Sequence, residues 1–153
     1  MQKWCCFPVL LVVASAMVGC GGDKLKRVPI EGVLTAMGEP VGGATVQFIP
    51  AQGTPGEGGI GQTGPDGKFT LISSRKDDPG IPPGKYTVRV TRIMEPDGTI
   101  VSPDEPEANH PDARESIPAP YSGANSPLEA TISESGGQIK LEIPAKVPGK
   151  MKS

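Results

Sequence analysis

Apolar and polar residues alternate along this chain in short runs, and glycine and proline collect between the runs. A period of two is the mark of a strand with one buried face, because successive side chains of a strand point to opposite sides of the sheet. Tyr86, Val88 and Val90 against Lys85, Thr87, Arg89 and Thr91 form the clearest case. The same pattern runs through Val28, Ile30 and Leu34, with Gly32 on the apolar side, and through Ala44, Val46 and Phe48. It returns in Phe69 and Leu71, in Leu128, Ala130 and Ile132, and in Ile139, Leu141 and Ile143. No segment repeats its apolar residues at helical spacing, so almost no helix is expected. Six such strands predict an all-β fold, a β-sandwich of about six to seven strands whose two sheets share one core.

The 21 glycines and 18 prolines would fit a disordered chain if they were scattered, but their place between strands makes them turn residues. Pro65-Asp66-Gly67 sets proline where φ near −65° is wanted and glycine where φ turns positive, which predicts a tight turn into a strand opening at Lys68. Pro82-Pro83-Gly84 is expected to do the same before Lys85. Gly136-Gly137 is expected to close a hairpin between the last two strands.

The ordered series Gly32-Val33-Leu34, Gly38-Glu39-Pro40-Val41, Gly43 to Pro50, Thr63 to Phe69 and Pro83 to Val88 resembles a carboxypeptidase regulatory-like domain. That family has a transthyretin-like, prealbumin-type sandwich, also described as Ig-like. Ile117-Pro118-Ala119-Pro120-Tyr121-Ser122 and Ser126-Pro127-Leu128 are similar to a segment of small lipoproteins of planctomycete-type bacteria that carry this domain. The likeness covers residues 28–143. It departs at Gly64, where an acidic residue is common, and at Pro120, where a basic one is. The resemblance implies an accessory module without catalytic groups.

At the N-terminus, Lys3 is followed by an apolar run from Phe7 to Val18 that is too short to span a bilayer, which takes about 20 residues. Met17-Val18-Gly19-Cys20 resembles the end of a bacterial lipoprotein signal peptide, with Met17 where leucine is usual. The resemblance implies that residues 1–19 are removed and that Cys20 is acylated, with 20–27 as a lipidated tether. Cys5 and Cys6 would leave with the signal, so no disulfide and no cysteine-based metal site is expected. The partner implied is a membrane, through the lipid, and the location is the cell envelope, facing the periplasm or the cell surface. A formal net charge of −2 without a basic stripe argues against nucleic acid.

Little else in the sequence points to chemistry. Gly59-Ile60-Gly61-Gln62-Thr63-Gly64 has dinucleotide-motif spacing, but such a motif must open a helix, and here a Pro-Asp-Gly turn follows. The segment is read as a mobile loop, and no cofactor is expected. His110, the single histidine, is read as a solvated loop residue, since Ser102, Ser116, Ser122 and Asp112 nearby form no nucleophile elbow. No catalytic residue is assigned. Asp66, Asp77, Asp78, Asp97, Asp104, Glu105, Glu107 and Asp112 match no calcium-loop pattern, so no metal site is assigned. Phe48, Phe69 and Tyr86 alternate into the core, which leaves Tyr121 as the candidate ligand-binding platform.

Residues 94–127 form a long Pro-rich loop. Its second half is expected to pack along a sheet edge and 95–113 to be exposed and mobile, while 144–153 reads as a frayed basic tail. The function expected is that of a membrane-anchored envelope lipoprotein presenting a non-catalytic sandwich as a structural or interaction module, with an envelope protein or polysaccharide as partner. The alternative is a module that binds an envelope polysaccharide or a small ligand.

Overall fold

The computed structural model describes residues 25–74 and 78–149. The expected signal peptide, Cys20 and the ends of the tether and tail lie outside the described residues. The protein is an all-β sandwich. One sheet is built on β1 (Ile30–Ala36), which pairs in parallel with β11 (Gly137–Ile143) on one side. On its other side β1 pairs antiparallel with β2 (Glu39–Pro40) and β5 (Lys68–Thr70). The second sheet runs in the order β10 (Glu129–Ile132), β7 (Gly84–Thr91), β3 (Thr45–Pro50), β4 (Gly59–Gln62) and β6 (Ile72–Ser73). A two-stranded ribbon of β8 (Ile93–Met94) and β9 (Arg114–Glu115) stands outside both.

The inner faces carry the residues that the alternation puts there. Ile30, Leu34, Leu141 and Ile143 from the first sheet meet Val46, Phe48, Tyr86, Val88 and Val90 from the second, all of them buried. Phe48 lies at the centre, its ring tilted against Phe69 at 6.4 Å and against Tyr86 at 5.9 Å. Each such side chain contributes about 1.5–3 kcal/mol by leaving water. The Tyr86 hydroxyl donates to the Pro82 carbonyl at 2.6 Å, which satisfies it inside the core, and burial pushes its pKa up to about 12. Gly32 faces inward because the Phe69 ring fills the place of its side chain, 2.2 Å from where a Cβ would stand.

The turn at Pro65-Asp66-Gly67 forms as expected, with Gly67 at φ 74° and its amide donating to the Gly64 carbonyl at 2.8 Å. At Pro82-Pro83-Gly84 the chain only bends, and Gly84 is already the first residue of β7. Gly136-Gly137 does not close a hairpin. β10 and β11 belong to different sheets, so these glycines carry the chain across the core from one sheet to the other. A Cβ on Gly136 would stand 2.5 Å from the Pro29 carbonyl oxygen, which shows how closely the crossing chain passes the start of β1.

Residues 59–62 are not a mobile loop but the strand β4, paired with β3 and β6. Gly59 and Gly61 occupy its inward positions, where a Cβ would meet Ile81 at 2.4 Å and the Thr70 carbonyl oxygen at 2.8 Å. The tail also departs from expectation over its described part. Ala145 and Val147 extend the inward alternation of β11 and pack against the core.

Candidate functional site

The sandwich has two distinct ends. At the first, the chain enters: Val28 bridges Ile81, and a Cβ placed on Gly56 would lie 3.4 Å from Leu25. Lys26 pairs with Glu134 at 3.1 Å, so the last part of the expected tether, 25–27, is docked rather than loose. At the opposite end, β1, β7 and β11 all finish, and the long excursion begins. β7 has eight residues, which puts about 26 Å between the two ends.

Arg92 organises the far end. It follows Tyr86, Val88 and Val90 at the next inward position, so the strand carries its guanidinium between the sheets, where the residue is 3% exposed. Nε donates to Ser116 Oγ at 2.8 Å, Nη1 to the Gly42 carbonyl at 3.3 Å, and Nη2 to the Pro148 carbonyl. Burial holds its pKa below the ordinary arginine value, while the nearby Glu115 charge acts in the opposite direction. Glu115 Oε1 accepts the backbone amides of Arg92 at 3.0 Å and Ile117 at 2.7 Å. One side chain thus ties the β2 side, the excursion and the tail together.

Beside Arg92 lies a cleft of about 460 Å³. Thr45 and Thr91 form its sheet wall, and Ser102, Glu105 and His110 its outer wall. The 95–113 segment is largely exposed, as expected, but Val101 within it is buried and it carries defined structure: a turn at Asp97-Gly98 and a short 3-10 turn at Glu107–Asn109. Within it, His110 is not a solvated loop residue. Its Nδ1 is 2.7 Å from Glu95 Oε1 and its Nε2 2.6 Å from Glu105 Oε2, and its side chain is 22% exposed. A carboxylate can only accept, so both bonds are made together only when both ring nitrogens carry hydrogen, that is, by the imidazolium. The bonds to Glu95 and then Glu105 raise its pKa above the ordinary value against a smaller effect of burial.

Both ring nitrogens are therefore occupied, and neither faces a serine. Ser116 Oγ serves Arg92, and Ser102 Oγ accepts from the Asp104 amide at 3.4 Å. Among the described residues, no group of three or more histidine, cysteine, aspartate and glutamate side chains is arranged to hold a metal ion. The glycine-rich motif at 59–64 lies in β4 and the turn after it, with no helix to receive a phosphate.

Tyr121 is half-buried and packs against the core. Its carbonyl accepts the Val90 amide at 3.0 Å, and the Ser122 carbonyl accepts from Arg89 Nε at 2.8 Å. Residues 121–128 thereby cover the part of the β7 edge that β10 leaves open, as the loop's apolar anchors led one to expect. The sequence reading missed Arg92, Glu95 and Glu115. A signal for Arg92 was present, since a charged residue at an inward strand position is either paired inside or displaced. Compared with known proteins, the chain matches no family model, no curated protein and no solved structure.

Proposed function

We propose that the protein is a lipid-anchored component of a bacterial cell envelope that presents a non-catalytic β-sandwich as a structural or interaction module. Met17-Val18-Gly19-Cys20 supports the anchor, and the ordered strand and turn motifs support kinship with carboxypeptidase regulatory-like domains. The observation that carries the reading is the polarity of the sandwich: the chain enters at one end, and the Arg92 cleft opens at the other. From Cys20 to Leu25 the chain spans at most about 18 Å at full extension. A lipid on Cys20 holds the entry end against the bilayer and turns the cleft and the excursion outward, toward an envelope protein or polysaccharide.

Two or three buried acyl chains, at about 0.8 kcal/mol per methylene, anchor stably where one chain does not. Cys20→Ala is therefore expected to move the protein from the membrane to the soluble fraction and to remove the lipid increment from its intact mass. A Cys20→Ala protein that stays membrane-bound with no difference in processing or modification would refute the anchor.

A further inference from the structure

The outer wall of the cleft is weakly built apart from one residue. None of residues 102–113 is buried. The wall's backbone hydrogen bonds are local: Glu105 to Ser102 at 3.0 Å, Asn109 to Pro106 at 3.0 Å, His110 to Glu107 at 2.9 Å and Ala113 to His110 at 3.1 Å. A segment with few apolar contacts and local bonds sits at the low end of local stability. Against this, His110 reaches out of the wall to Glu95, on the turn that follows β8, and also back within it to Glu105. The β8 side is itself fixed to the sandwich, since Val101 is buried and its amide donates to the Ile93 carbonyl at 3.0 Å.

We propose that His110 is a proton-operated latch: as imidazolium it bridges Glu95 and Glu105 and holds residues 102–113 over the cleft, and when it loses a proton the wall swings free. The charged groups that face it are Glu95 from the β8 turn and Glu105 from the wall; Glu107, Arg92 and Arg114 line the same cleft. Neutral imidazole has one donor and cannot satisfy two carboxylate acceptors, so deprotonation breaks one bond and leaves a lone pair facing an anion. The sign follows from linkage. The two bonds are fully present below the ordinary histidine value of 6.5 and are lost as pH rises through the higher value of the closed state. The cleft is therefore closed below the ordinary histidine value and opens as pH rises through the higher value of the closed state, whether or not Cys20 carries a lipid.

The test uses the full chain. Nuclear magnetic resonance of the His110 ring gives the closed-state pKa, expected above 6.5. Hydrogen exchange, corrected for intrinsic rates, is then measured from below the ordinary histidine value up to beyond the ring pKa so determined. Protection at the Asn109, His110 and Ala113 amides is expected to fall by about tenfold for each unit by which that pKa exceeds the ordinary one, while β1 and β7 amides hold steady. In a chain carrying Glu95→Gln and Glu105→Gln, His110 is expected to titrate at its ordinary value, with low protection at all pH. Protection that ignores pH in the native chain, or falls equally in the double variant, would overturn the latch.

Discussion

Arg92→Met is expected to lower the stability of the domain by about 3 kcal/mol and to detach the C-terminal segment. Methionine keeps the aliphatic stem but donates nothing, so the Gly42 carbonyl and Ser116 Oγ, both on buried residues, and the Pro148 carbonyl nearer the surface each lose a partner. Buried ionic groups can often be exchanged for apolar ones at little cost, but only when both sides change together. Here two of the acceptors belong to the backbone and cannot be exchanged. For a chain of this size the loss corresponds to a fall in Tm of roughly 10 °C. Protease cleavage near residues 145–149 should rise in step, because Pro148 is one of the ties between that segment and the sandwich. A melting point unchanged within about 2 °C, with the segment still protected, would show that Arg92 is not the organiser of this end.

Gly58→Ala should be as damaging, for a reason confined to the backbone. Gly58 has φ +82°, and a Cβ there would stand 1.9 Å from the Phe48 carbonyl oxygen, with Phe48 held at the centre of the core. Either β4 moves away from β3 or Phe48 shifts, at a cost on the order of 3–4 kcal/mol. Gly38 provides the control, since its φ is +81° but nothing lies within 4 Å of its Cβ position. Gly38→Ala pays only the left-handed penalty of about 1–2 kcal/mol. Equal losses of Tm in the two variants would mean that conformation alone, and not the clash, sets the cost.

The strands that the sequence shows are those whose inward positions hold large apolar side chains. β1, β3, β7 and β11 announce themselves through residues such as Leu34, Phe48, Val88 and Leu141, because alternation is visible only where the buried face has something to bury. β4 is silent for the converse reason: Gly59 and Gly61 face inward because Ile81 and the Thr70 carbonyl leave no room for a side chain. The crossing at Gly136 was misread because two glycines between strands fit a hairpin and an inter-sheet arch equally well, and only pairing at a distance decides between them. The described part of the tail, 144–149, is not frayed as expected, and Ala145 and Val147 already continue the period of Leu141 and Ile143. At the cleft end, Arg92 was legible from its position in the alternation. The His110 bridge was not, since Glu95 and His110 meet only through the path of a long Pro-rich segment.

The parallel pairing of β1 with β11 also bears on how the chain reaches its fold. Thr35 and Glu142, neighbours across this pair, are 107 positions apart in sequence. Contacts of such separation form slowly, because the entropy of closing the loop must be met before they return any stability. β1 can find β2 and β5 early, but its other edge stays open until β11 arrives. A chain that lacks β11 therefore presents a strand edge with unanswered amides and carbonyls, the kind of surface that recruits other chains. If the chain is exported, as the proposed lipid anchor requires, crossing the membrane as an extended polymer and folding only when β11 is available would keep that interval short.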